Sequence, residues 1–300
     1  MKELPVFEQL YVQLHTSKYP KSETKPFSAS LGATWNLDNN YSLALSLSRN
    51  QRAAGVRELY AFGNNLATNS YEVGFAAYDR SGSLRLPNRP DVMETAKSTN
   101  LTFRKASGPL EFEIGVFYQD VEDYIFSSHI DTADETGIPH NYQVYTSADV
   151  IFKGIDGQIS YQVMPEARVT VFGDYIDTEL KSEVFDYYDP DYSSDNLPRI
   201  PPGRLGARFN WVSGPLTADL EYVHTFEQDK VAVYETPTDG YGMLNATISY
   251  KVDIQGFNEL EIYLRGSNLT DELAYVHTSF VKEQSPLRGR NLVLGMRYQF

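Results

Sequence analysis

The chain has no cysteine, only 2 Trp and 5 His, and no apolar run of eighteen or more residues. Without cysteine there are no disulfides, thiolate zinc sites or thiol nucleophiles; the absence also suits a protein of an oxidising envelope. With no long apolar run and a mean hydropathy of -0.41, no helix is expected to cross a membrane. Basic residues are scarce: 26 Lys and Arg face 40 Asp and Glu, a net charge of -14. That balance excludes a nucleic-acid partner, whose phosphates require a basic surface. What the chain does have is aromatic mass, with 22 Tyr and 16 Phe, which excludes disorder. Met1 to Pro5 has no apolar stretch behind it, so the beginning does not read as a signal peptide.

Helical periodicity is almost absent, while period-two alternation recurs from end to end. Phe27 to Trp35, Tyr41 to Ser48, Leu110 to Tyr118, Arg204 to Trp211, Glu259 to Leu264 and Asn291 to Phe300 each alternate apolar with small or polar residues. About twelve strands are predicted, near 5–15, 25–37, 41–49, 96–106, 110–124, 147–163, 167–180, 203–212, 216–228, 240–251, 257–268 and 290–300. Their connections alternate strictly between short (38–40, 107–109, 164–166, 213–215, 252–256) and long (16–24, 50–95, 125–146, 181–202, 229–239, 269–289). A soluble β-sandwich has no reason to sort its turns by length. An antiparallel up-and-down β-barrel in an outer membrane does, with short periplasmic turns and long external loops. Strands of about nine to eleven residues also match the hydrocarbon thickness when tilted. The expected fold is therefore all-β, a transmembrane barrel in which each strand pairs with the next, with outer-membrane lipid as its first partner.

Several stretches carry a resemblance. Gln51 to Ala61 reads Q-R-A-A-G-V-R-E-L-Y-A, Glu94 to Leu101 leads into a strand, Gly266 to Asp271 reads G-S-N-L-T-D, and Gly289-Arg290 opens a final strand with an aromatic finish. Together they resemble the C-terminal part of the barrel of TonB-dependent outer-membrane receptors, over essentially residues 1–300. The resemblance implies a Gram-negative outer-membrane location and about twenty-two strands in a whole receptor, of which about twelve are here. It implies energy-coupled uptake of a scarce metal ion or metal chelate, and partnership with the TonB complex. It also implies recognition by the barrel-assembly machinery through the strand ending in Phe300. Neither a plug domain nor a coupling box is visible, so the chain reads as one portion of such a receptor; a closed twelve-stranded pore or adhesin is the alternative. Asn268 is expected to close an Asx-type turn, and Gly289 to relieve crowding at the re-entry.

No His-Glu-x-x-His, Gly-x-Ser-x-Gly or phosphate-loop pattern occurs, so no enzyme and no resident cofactor are expected. Carboxylates are numerous on the loops, where solvation without a fixed partner is the expectation. The 125–146 loop differs in kind: it holds His129, Asp131, Asp134, Glu135 and His140 and no Lys or Arg. Imidazoles with carboxylates form a ligand set for zinc or another divalent transition metal, whereas an acidic external loop can equally be a solvated surface. The next long loop adds Glu183, Asp186, Asp189, Asp191 and Asp195. The stretches Asn196 to Gly206, Glu235 to Tyr241 and His277 to Lys282 resemble the zinc-uptake branch of the family more than its ferric-siderophore branches. His224 reads as an interfacial residue. His277, with no carboxylate run beside it, ranks second as a ligand.

Overall fold

The computed structural model describes residues 22–37, 40–68, 70–75, 91–131, 141–181, 184–185, 193–254 and 258–299. Eleven long strands form one meander: β1 (Ala29–Leu37), β2 (Tyr41–Ala53), β5 (Met93–Lys105), β6 (Leu110–Asp131), β7 (Asn141–Met164), β8 (Ala167–Leu180), β11 (Arg204–Ser213), β12 (Leu216–Thr225), β13 (Tyr241–Ile254), β14 (Asn258–Ser267) and β15 (Asn291–Gln299). Each pairs antiparallel with its neighbour in that order, and the described path runs from β1 to β15 as an open sheet. These are the eleven strands expected from residue 25 onward; the one expected near 5–15 lies outside the described residues. All the short connections fall at one end of the sheet and all the long ones at the other, as the sorting by length requires.

The register explains the phase of every strand. Leu45, Leu101, Val116, Ile155 and Tyr175 stand opposite one another across five strands. Ile248, Leu264 and Leu294 do the same across β13, β14 and β15. Leu264 is 47% and Leu294 75% exposed, as apolar side chains become where lipid replaces water as solvent. At the short-turn end of the belt Tyr41, Phe103 and Phe112 cluster, with centroids 5.2 to 6.0 Å apart. At its other end Tyr118, Tyr175 and Phe226 are exposed. The opposite phase is polar and paired: Arg168–Glu111, Arg204–Asp174 and Arg208–Glu221 link neighbouring or next-nearest strands.

Two strands, β6 and β7, overrun the membrane. At about 3.4 Å per residue, the 22 residues of β6 extend roughly 75 Å, far beyond a hydrocarbon core of about 30 Å. The expected loop 125–146 is therefore corrected: 125–131 and 141–146 are ladder, and only 132–140 lie outside the described residues. The ladder survives because both of its phases are covered. On the lumen phase Ala96, Val121, Phe126, Ala148, Val150 and Phe152 pack with Leu197, and a register shift between Val121 and Tyr124 keeps Tyr124 on that side. On the other phase Ile125 and Tyr145 are covered by Leu59, Phe75 and Val92.

The cover comes from the long connection after β2, which holds elements that the alternation did not indicate. These are α1 (Val56–Tyr60), β3 (Phe62–Asn65) and β4 (Ser70–Val73), the last pairing in parallel with β7. Arg52 donates to both Glu58 and Glu94, and Glu58 closes a capping interaction on the Gly55 N–H at 2.6 Å. Buried Glu72 accepts from Arg57 and from Asn65 Nδ2 at 2.7 Å. Gly74 passes so close to α1 that a Cβ there would lie 2.6 Å from the Leu59 carbonyl. The small β3–β4 hairpin (with β9, Val184–Phe185, and β10, Ser193–Ser194, in a separate two-stranded ladder) completes the described secondary structure.

Candidate functional site

Above the apolar belt, three long connections and the upper β6–β7 ladder converge on one buried polar layer. The β8–β11 connection is anchored by Leu197, 1% exposed in the core between β7 and the loop. Pro198, Pro201 and Pro202 keep this segment from coiling into a helix. Arg199 sits between them in the left-handed region (φ 60), an uncommon conformation for a non-glycine residue. Its backbone N–H donates to the Glu235 carboxylate at 3.0 Å, its guanidinium to Ser127 Oγ at 3.2 Å, and the same group stacks 4.2 Å over the Phe280 ring. Burial pulls the Arg199 pKa down, against the opposing pull of Glu235.

Glu235, from the β12–β13 connection, is the hub. Its side chain is 7% exposed and also accepts from the Ala232 N–H at 3.2 Å and from Lys282 Nζ at 3.4 Å. Burial alone would raise its pKa; contact with His277, the Ala232 N–H and the Lys282 charge outweigh it and hold the carboxyl below its usual range. The β14–β15 connection supplies Lys282, which also donates to the Thr236 carbonyl at 2.5 Å, and His277. His277 is 2% exposed; its Nδ1 meets Thr238 Oγ1 at 2.9 Å and its Nε2 lies 3.3 Å from Glu235 Oε1 without hydrogen-bond alignment. Thr238 is itself fixed by a two-way backbone bridge to Gln228.

The layer continues into the β6–β7 ladder. Ser127 Oγ donates to Gln143 Oε1 at 3.2 Å, and Gln143 Nε2 lies 3.3 Å from His129 Nε2. Burial, then the nearby Arg199 charge, hold the His129 ring below the ordinary imidazole range, so it is neutral at pH 7. A contiguous path of polar contacts thus runs from His129 through Gln143, Ser127 and Arg199 to Glu235 and His277, joining the β6–β7 ladder to three connections, with the Arg199 backbone N–H making the link to Glu235. Because Glu235 is already engaged by two N–H groups and an ammonium, this layer fastens the connections to one another.

His129 is placed on β6, within the electrostatic reach of two cations, Arg199 and Lys282, and of the Glu235 carboxylate. Asp131 ends β6, paired in register with Asn141. Asp134, Glu135 and His140 lie outside the described residues, as do Glu183, Asp186, Asp189 and Asp191. Among the described residues no three His, Asp or Glu side chains come together as a metal site. Asp195 is exposed, and His224 packs edge-on against Phe226 at 4.9 Å. Two expectations are corrected. His277 does have a carboxylate, Glu235, delivered by another connection instead of by its own sequence neighbours. Glu58, Glu72, Glu94 and Glu235, expected to be loop carboxylates without fixed partners, each have one. The signal for Glu235 and His277 was already in the two family-like stretches that contain them, which the fold brings together.

Asn268 closes a local turn as expected, though its side chain reaches the N–H four residues on instead of the two of an Asx turn, and Gly289 stands at a close approach. Asn268, 4% exposed, accepts from the Glu272 N–H at 2.9 Å and donates to the carbonyls of Glu272 and Arg288. A Cβ on Gly289 would lie 3.1 Å from Asp271 Oδ1, which accepts the Arg290 N–H at 2.8 Å.

A family model described as "TonB dependent receptor-like, beta-barrel" matches residues 11–269. Among solved structures, the chain is similar to the copper transporter OprC at 15% identity and a TM-score of 0.69, over 90% of this chain and 39% of that one. It is similar to the siderophore receptor PirA from Acinetobacter baumannii at 15% identity and a TM-score of 0.60, over 91% and 41%. With the unliganded ferric citrate transporter FecA the values are 14% and 0.59, over 91% and 38%. At these identities the likeness is one of fold. The chain spans about two fifths of the length of these relatives.

Proposed function

Because this chain belongs to the TonB-dependent receptor β-barrel family, whose members reside in the outer membrane of Gram-negative bacteria, we propose that residues 1–300 are the C-terminal portion of a receptor barrel, and that the whole receptor imports a scarce metal ion or metal chelate. The observation that carries this reading is the joining of two features on one meander: a lipid-facing belt at the short-turn end, and loops fastened over the sheet at the other. Fastened loops give a receptor a shaped mouth in which a cargo can be held before energised uptake.

Coupling to TonB would pass through parts of the receptor other than these 300 residues. Recognition by the assembly machinery would use β15, whose Leu292, Leu294 and Met296 are 64 to 77% exposed, with the terminal Phe300 beyond the described residues. Zinc is the cargo we favour. That choice rests on the stretches around Arg199, Glu235 and His277 and on the proposed ligand set His129, Asp131, Asp134, Glu135 and His140; the relatives named above carry copper, siderophores or ferric citrate. The test is uptake by cells carrying the full-length receptor, with labelled zinc, copper and ferric citrate offered separately, with TonB intact or deleted. Zinc accumulation that depends on both receptor and TonB is expected. Uptake of the copper or iron cargo alone would replace zinc, and passive flux without TonB would overturn the receptor reading.

A further inference from the structure

His129 and Gln143 stand directly opposite one another on the β6–β7 ladder, and Ser127 lies on the same face, nearer the membrane. Gln143 is 2% and Ser127 6% exposed, so their polar groups depend on one another instead of on water. The contacts form a chain: Arg199 Nη2 to Ser127 Oγ at 3.2 Å, Ser127 Oγ to Gln143 Oε1 at 3.2 Å, and Gln143 Nε2 to His129 Nε2 at 3.3 Å. Its direction is set at the Arg199 end. A guanidinium has only donors, and this one is held by the Glu235 contact at its backbone and by the Phe280 ring. Ser127 Oγ therefore accepts from Arg199, and its hydroxyl hydrogen goes to Gln143 Oε1. The Gln143 NH2 then faces His129 Nε2, which accepts. With the amide turned over, Ser127 would receive two donors, and its own hydrogen would have no acceptor among these buried groups.

We propose that Gln143 is a positioning residue that fixes the tautomer of His129, so that the ring of the unloaded receptor carries its proton on Nδ1. For the cargo it serves, this rests on the zinc reading above; for the tautomer it rests on hydrogen-bond direction alone. Nε2 is covered by the Gln143 amide, while Nδ1 has no hydrogen-bond partner among the described residues and is the nitrogen open to a metal. A metal on Nδ1 needs that nitrogen without its proton. The proton leaves Nδ1 to water and another is taken up at Nε2, so the ring stays neutral and no net proton is released. The new Nε2–H must meet an acceptor, which Gln143 supplies by turning its amide and presenting Oε1, the partner usual for a metal-bound imidazole. Arg199 opposes that turn, because it presents the Gln143 NH2 to Ser127 and displaces the serine hydrogen. Gln143 thereby makes His129 selective. A divalent transition metal binds imidazole strongly enough to turn the amide, whereas calcium or magnesium, which prefer oxygen, do not.

The experiment is nitrogen NMR of the full-length receptor carrying isotope-labelled histidine, with the His129 signals identified by their loss in His129→Ala, alongside titration with zinc. Without metal, His129 is expected as the Nδ1–H tautomer; with zinc, as Nε2–H with the metal on Nδ1. Gln143→Glu, which offers only acceptors, should turn the unloaded ring to Nε2–H. Ser127→Ala, which changes no charge, frees the amide to turn: the unloaded ring should show both tautomers, and zinc should bind about threefold to tenfold tighter. An unloaded ring with its proton on Nε2, a tautomer that Ser127→Ala leaves unchanged, or zinc held through Nε2 would overturn the proposal. If Ser127→Ala fails to fold, the unmodified receptor and Gln143→Glu still decide it. The unloaded tautomers are read without metal: finding them as expected in a receptor that binds no zinc would support the Gln143 assignment and overturn the zinc reading.

Discussion

The lower and upper halves of β6 and β7 are the same strands in two different solvents. In the lower half the apolar phase faces outward, with Val116 and Ile155 nearly half exposed, and the polar phase faces the lumen in ion pairs. In the upper half Val121 and Val150 are almost completely buried on the lumen phase, and the outward phase is covered by the connection after β2. Period-two alternation sets which side chains share a face in both halves. It does not set what the face meets. In hydrocarbon the apolar face needs no protein cover, while every backbone polar group must be paired within the sheet. In water the rule inverts, and the ladder persists only where loops bury its apolar side chains.

The two halves should fail in different ways, and the largest effect is expected in the upper one. Glu235→Ala would leave Lys282 and two backbone N–H groups facing an empty acceptor in a buried layer, a loss of about 3–5 kcal/mol of local stability. Amide exchange at Arg199 and Ala232 should rise steeply while the belt strands stay protected. Exchange unchanged at both positions would show that the layer is not held through Glu235. Acid should do the same more gently. The Glu235 carboxyl is held below its unfolded value, so its contribution is complete above about 4.5 and is lost as pH falls through the lower folded value. Pepsin cleavage within 229–239 should therefore begin only below pH about 4.5.

The next effect belongs to the belt. Leu264→Arg places a charge at the middle of the lipid face and should cost about 2–4 kcal/mol, seen as loss of the heat-resistant folded band on electrophoresis. Leu66 in the upper region is even more exposed, at 94%, yet Leu66→Arg should change stability by no more than about 0.5 kcal/mol. Equal sensitivity at the two positions would break the division into two solvents. Smaller again is Asn268→Ala, which removes three hydrogen bonds at the start of the last long connection. It should cost about 2 kcal/mol, confined to faster exchange within 269–289.

These contrasts also explain what could be read from the residues alone. The belt strands were legible because lipid enforces strict alternation over a fixed length, so phase, order and connection lengths all appear in the sequence. The upper ladder was not, since Tyr124, Ile125 and Phe126 are three apolar residues in succession, which breaks the alternation where both faces are covered. The helix α1 is only five residues long, too short for a helical period to register. Asn268 was legible because its hydrogen bonds are local. The Glu235–His277 contact was not, because its partners lie 42 residues apart and meet only through two connections.

The smallest and sharpest test concerns the upper end of the ladder. If the proposed ligand set captures zinc, His129 contributes from a rigid strand and His140 from just before β7. A strand position fixes the His129 ring but also leaves it within electrostatic reach of Arg199 and Lys282, whose charges oppose a cation, and of Glu235, whose charge favours one. The ring nevertheless is in the ligand form at pH 7, because burial disfavours its protonation. Zinc binding by the full-length receptor should then fall about tenfold in His129→Ala and in His140→Ala, and the two losses should not add if both rings hold one ion. Arg199→Gln, which removes one opposing charge while keeping a hydrogen-bonding head, should tighten binding. Unchanged affinity in both histidine variants would assign His129 to the fastening layer alone and leave the acidic tip as solvated surface.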